Sequence, residues 1–299
     1  MINFITSDII KFTLYGIGTT IYIVDKSILE WIIQMKNNRG ITSPPPQDDN
    51  YLNTLTNLFQ GSKEQFQTRL LDGCANVDFS RPLSWDFCYH HFQSQSEKYF
   101  LDTIPSETLA RGTLELSNYL ASFGMFRSAE MKKVNRCFFE PIIVHIFKVA
   151  QANGIHSFNA FKDINLQQLR SLIAGVEKAY SDAFESVGIH DQRPNDTMTS
   201  KILMGMFGVL PALDERYVYA VRKLHKQIRE NQNLPTRKQF SDCLPTTLRD
   251  DGKLEFLLKI SRNPRLETFL QDLVRPALQY STPKVDADYP VMRLLDLYL

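Results

Sequence analysis

Residues 199–217, TSKILMGMFGVLPALDERY, constrain the chain more than any other stretch. Ile202, Leu203, Met206 and Phe207 recur at helical spacing, so a short apolar helix is expected there. Gly208 is where such a helix stops, because glycine adopts a C-cap's left-handed backbone without steric penalty. Val209, Leu210 and Pro211 then make a turn, and a second helix is expected to open on Ala212 with Asp214 in its first turn. An acid at that place is favoured by the helix dipole and by backbone N–H groups that lack a partner inside the helix. Two readings of Asp214 follow. It caps a helix, or it is a functional carboxylate presented at a helix N-terminus.

The remainder of the chain reads as helix. Residues 84–100 (SWDFCYHHFQSQSEKYF) begin with a serine cap after Pro82 and place Trp85, Cys88, Tyr89 and Phe92 at three- and four-residue steps. Residues 107–126 carry Leu109, Leu116, Tyr119, Leu120 and Phe123 along one side, and end in an aromatic-rich segment around Gly124. Residues 137–151 are apolar, with a break or start at Pro141. Leu169, Leu172, Ile173, Val176 and Tyr180 define the inward face of a helix over 166–187. Residues 51–59, 63–71, 217–231, 254–260, 266–278 and 289–299 supply further helical segments, the last a short apolar one that docks on the core. No alternating strand pattern and no fixed-period repeat occurs. The expected fold is all-α, an irregular multi-helix globule.

Residues 1–45 are expected to form a separable helical arm, with one long helix or two short ones over 7–36 broken at Gly16 and Gly18, and residues 46–299 the main domain. Residues 37–50 (NNRGITSPPPQDDN) read as a linker that three consecutive prolines hold extended. The apolar run Phe12–Val24 covers 13 residues, short of the roughly 20 that a membrane span needs. No small-residue cleavage site follows it, which argues against a signal peptide. The four cysteines (Cys74, Cys88, Cys137, Cys243) show no metal-ligand spacing and read as reduced, mostly buried thiols of a cytoplasmic protein. No metal site is expected.

Charge is distributed unevenly. Residues 216–238 hold seven Lys/Arg (Arg216, Arg222, Lys223, Lys226, Arg229, Arg237, Lys238) against one acid, Glu230, in a chain of net charge +1. Such a block is either a solvated helix face or a phosphate-attracting surface.

Several chemistries lack their motif. There is no phosphate-binding glycine loop, which argues against an NTPase or a nucleotide cofactor, and no GxSxG or HExxH. Asp250–Asp251 reads as a turn and Asp48–Asp49 as linker.

The run SKILMGMFGVLPALDERYV resembles the last part of the glycosylase domain in helix-hairpin-helix DNA glycosylases, where an apolar helix leads through a proline-ended loop to the catalytic aspartate. The resemblance covers about 20 residues and implies that Asp214 is the catalytic acid, with Lys201 at the start of the preceding helix. The family's glycine-rich hairpin is replaced here by RPNDTMTS, and the lysine nucleophile of bifunctional members would fall near Asn195. What the resemblance implies is therefore a monofunctional enzyme, nearest to the alkylpurine-type branch, some members of which act in antiphage defence against modified DNA. The implied partner is double-stranded DNA, with no cofactor. The chemistry suits the residue types: N-glycosidic cleavage builds positive charge on the sugar, and a carboxylate stabilises it or activates water. Trp85, Tyr89, Tyr119, Phe123 and Phe126 are candidates to line a pocket for an extruded base, and Tyr217 is a further candidate to bind the substrate. His90, His91 and Arg127 would read polar edges, and Arg216, Arg222, Lys223, Lys226 and Arg229 would hold phosphates. The rival reading is a non-enzymatic, all-helical interaction or defence protein in which Asp214 only caps a helix and the aromatics are core.

Overall fold

Among the described residues the helices of eight or more residues are, in chain order, α1 (Arg81–Ser94), α2 (Ser106–Ser122), α3 (Phe139–Ala152), α4 (Leu166–Ser186), α5 (Asp196–Phe207), α6 (215–222), α7 (Asp251–Ser261) and α8 (Val291–Tyr298). The computed structural model describes residues 81–222, 244–262, 264, 267–268, 271 and 290–298, together with 12–13 and 20–21. The described residues are mostly helical, and α5 is their centre. Every residue from Met198 to Phe207 is buried, so this helix presents no face to water. It is surrounded by α1, α2 and α4, while α3 packs outside against α2 and α4.

The ends of α5 are set by two residues. Asn195 is its N-cap, its side chain accepting from the Met198 N–H at 2.8 Å. Gly208 ends it at φ 65°, and its N–H returns to the Met204 carbonyl at 3.0 Å. Within the helix, a Cβ at Gly205 would lie 2.7 Å from a ring carbon of Tyr119, so only glycine lets α2 approach this closely. Helix α4 begins with a reciprocal capping box, Asn165 with Gln168, and its five anticipated inward residues are all buried.

The C-terminal turn of α5 enters an aromatic cluster. Phe207 stacks on Phe161 with centroids 4.0 Å apart and meets Phe147 edge-on at 5.2 Å; Phe147 in turn stacks on Tyr99 at 4.7 Å. The Tyr99 hydroxyl donates its one hydrogen to the Thr108 carbonyl, so His91 Nε2, 2.8 Å away, is the donor in their shared bond. Burial pushes the His91 imidazole down to about 4, with nearby Arg111, His90 and Lys98 acting in the same sense.

Several expected boundaries move. Ser84 is not a helix cap: the residues from Arg81 on are already helical, and the Ser84 hydroxyl is engaged with that of Ser122. Helix α3 starts at Phe139, which puts Pro141 in the first turn, where an absent N–H leaves no bond unmade. Cys88 is buried as anticipated, but Cys137 is exposed, because the turn Arg136–Phe138 points Phe138 inward instead. Phe12–Thr13 pairs antiparallel with Thr20–Ile21, so the helix expected over 7–36 is not continuous; Gly16 and Gly18 lie between the paired segments. The rest of the arm, the 37–50 linker, the segments 51–59 and 63–71, most of 266–278, Cys74 and Cys243 lie outside the described residues. Among the described residues no helix is long and apolar enough to cross a membrane.

Candidate functional site

The turn after α5 is held by side chains at Ala212 and Leu213. Ala212 donates its N–H to Asp296 Oδ1 on α8 at 2.9 Å. Leu213 donates its N–H to Ser200 Oγ at 2.9 Å, and its carbonyl accepts from Thr197 Oγ1 at 2.8 Å. These bonds supply the partners that an irregular, largely buried backbone must find. Two helices, α5 and α8, therefore fix where residue 214 stands.

Asp214 does not lie within the helix, as expected from sequence, but immediately before it. Helix α6 opens at residue 215, and Asp214 Oδ1 accepts the N–H groups of Arg216 at 3.1 Å and Tyr217 at 3.2 Å. That is N-cap geometry. Its other oxygen, Oδ2, accepts from Lys201 Nζ at 2.9 Å. Lys201 is not at the start of α5 but in its middle, at 2% side-chain exposure, while Asp214 keeps 27%. The ammonium also stands 4.1 Å from the centroid of the Phe123 ring, a cation–π contact. A carboxylate offers about four acceptor positions. Among the described residues these donors take three, and the position left over is on Oδ2.

A second ion pair backs the first. Arg293 Nη1 holds Asp296 Oδ2 at 2.7 Å, and its guanidinium covers the Trp85 ring at 4.8 Å. Burial raises the Asp296 carboxyl above its ordinary value and the charge of Asp214 adds to that, against the opposing pull of Arg293, the Ala212 N–H and Lys201. The Tyr119 and Tyr217 phenols are pushed well up by burial, with the Asp296 charge acting in the same direction. Both remain neutral at ordinary pH.

The anticipated site residues thus divide. Asp214, Lys201 and Phe123 meet at one point. Trp85, Tyr89, Tyr119 and Tyr217 are buried: Trp85 donates through Nε1 to the Met204 carbonyl at 3.0 Å and stacks on Tyr89 at 4.7 Å. Their rings are closed in by the core, so a base reaches them only if that core opens. His90 and Arg127 are exposed, as are Arg216 and Arg222 on α6. Lys223, Lys226 and Arg229 lie outside the described residues. Asn195, where a nucleophilic lysine would align, is the α5 cap. Asp250 also caps, holding the Lys253 N–H at the start of α7, and Asp251 pairs with Arg170.

Sequence reasoning missed Thr197, Ser200, Arg293 and Asp296. Their signal was available: hydroxyls three apart in an apolar helix, and an Arg/Asp pair three apart in the otherwise apolar YPVMRLLDLYL. Among the described residues no group of three or more His, Cys, Asp and Glu converges as a metal site would require. No family model, curated protein or solved structure matches the chain.

Proposed function

We propose that the chain is a monofunctional DNA glycosylase-like hydrolase that extrudes a damaged or modified base and cleaves its N-glycosidic bond, with Asp214 as the reacting carboxylate. The observation that carries this reading is the state of that side chain. It is oriented by three donors, anchored to two helices through its own turn, and still partly exposed, with one acceptor position that no donor among the described residues takes. A carboxylate so held needs no reorganisation when positive charge develops on a sugar beside it, which is the condition for large electrostatic stabilisation. The free position on Oδ2 also suits a water about to attack, since it accepts that water's proton. Lys201 orients the carboxylate, and the exposed Arg216 and Arg222 lie on the helix that Asp214 caps.

A second reading rests on a different observation. Oδ1 serves two backbone N–H groups in cap geometry and the candidate pocket aromatics are core, an arrangement that a non-enzymatic helical interaction protein would also have. The two are separated by incubating the protein with duplexes that carry alkylated, deaminated or unmodified bases and assaying abasic sites by alkaline cleavage. Release from a modified duplex that falls by about a hundredfold or more in Asp214→Asn supports the enzyme. No release from any duplex leaves the interaction reading standing.

A further inference from the structure

The exposed side of α6 carries a feature that neither the cap nor the ion pairs use. Tyr217 and Val221 turn inward and are buried, which fixes the opposite face towards water. On that face stand Glu215, Arg216, Tyr219 and Arg222, and Tyr219 is 68% exposed. At 100° per residue, Arg216 and Arg222 flank Tyr219 on its two sides, three residues before and three after. A ring 68% exposed between two guanidinium groups adds little burial to the fold. Glu215 is the one acid on this face, and the sequence beyond continues basic through Lys223, Lys226 and Arg229.

We infer that this face binds a nucleic-acid strand, with Tyr219 stacking on an unpaired base and Arg216 and Arg222 meeting the phosphates on either side. The inference rests on the DNA reading of the Asp214 site and adds its contact surface. The spacing fits. The two arginines lie about 9 Å apart along the axis at 1.5 Å per residue, the rise of two to three stacked nucleotides at about 3.4 Å each. Tyr219 lies about 7.5 Å along the axis from Asp214, so the base it covers is about two nucleotides from the one at the carboxylate. Extruding that nucleotide exposes the faces of its neighbours, and an aromatic ring is the side chain that covers such a face whatever the base.

The test is fluorescence anisotropy with a labelled single-stranded oligodeoxynucleotide and with a duplex bearing one bulged base, over a salt series. Tyr219→Ala is expected to weaken binding by about 5- to 150-fold, the range for one base stacked on an aromatic side chain, while Tyr219→Phe stays near the parent protein. Arg216→Gln and Arg222→Gln are each expected to flatten the log–log salt dependence by about 0.7 to 0.9, one phosphate contact apiece. Because all three side chains are exposed, the helical circular dichroism signal should not change. Unaltered binding by Tyr219→Ala overturns the inference even if Asp214 proves catalytic. Equal loss in Tyr219→Phe and Tyr219→Ala overturns stacking in favour of a hydroxyl contact. A parent protein that binds neither probe at low salt overturns both the surface and the glycosylase reading. Binding that depends on Tyr219, in a protein that releases no base, keeps the surface and sinks only the glycosylase.

Discussion

Helix α5 passes through two interiors that are built in opposite ways. Its last turn puts Phe207 among Phe147, Phe158 and Phe161, where contact is ring on ring. One turn and a half earlier, Lys201 stands in an interior of charges and hydroxyls: Asp214, Ser200, Arg293 and Asp296. Both regions are buried, but they specify different things. Aromatic packing is non-directional and fixes how close the helices come. The polar region fixes atoms, because each bond there has one donor, one acceptor and one workable geometry. A fold needs the first; only a site that must aim a particular oxygen needs the second.

The largest difference expected between them is in stability. Phe207→Ala should lower the unfolding free energy by about 3–5 kcal/mol, read from urea denaturation, because the rings around it cannot collapse into the space. Lys201→Met is of similar length and leaves Asp214 with its two backbone donors and water, so its effect should be below about 1.5 kcal/mol. Comparable losses in the two variants would erase the distinction.

Next in size is a coupling inside the polar region. Asp214→Ala leaves the Lys201 ammonium buried without its ion-pair partner, a change that typically destabilises by about 3 kcal/mol or more. Adding Lys201→Met should recover most of that loss, so that the cycle shows at least about 1 kcal/mol of non-additivity. Additive losses would mean that the two side chains act independently despite their 2.9 Å contact.

The comparison also explains what could be read in advance. Helical periodicity and glycine punctuation report on apolar burial, so the buried helix, its end at Gly208 and the inward residues of α4 were legible. Asp214 and Lys201 were legible only as a spacing that resembles a known motif. Asp296 was legible only as half of an Arg/Asp pair in an apolar segment; its bond to Ala212 was not, because it reaches there from 84 residues away, and a polar residue's partner across such a distance leaves no trace in local pattern. The core positions of Trp85, Tyr89 and Tyr119 could not be told from pocket positions in the sequence for the same reason. Aromatics at helical spacing look alike whether they line a cavity or fill a core.

The smallest expected effects concern pH, and the two regions should respond with opposite sign. His91, beside Tyr99, is neutral in the folded protein down to about pH 4, whereas an unfolded histidine takes its proton near 6.5. Between those values the unfolded chain binds more protons, so acidification through this window destabilises, and His91→Gln should remove that contribution. Asp296 is the reverse. Its raised carboxyl holds a proton in the folded state at pH values where the unfolded chain has lost it, so this group's contribution falls as pH rises there, and Asp296→Asn should remove it. Denaturation midpoints of both variants and the parent across pH 4–7 read the two signs. Parallel profiles for parent and variants would contradict both.

The central claim is that the charge of Asp214 serves the reaction and that the fold can do without it once Lys201 is also neutral. Single-turnover base release by Lys201→Met and by the double variant Lys201→Met/Asp214→Asn tests this most directly, because neither leaves an unpaired buried ammonium. The account predicts matching urea midpoints and release at least about a hundredfold slower in the double variant. Equal release by the two proteins would show that the carboxylate is a cap and nothing more.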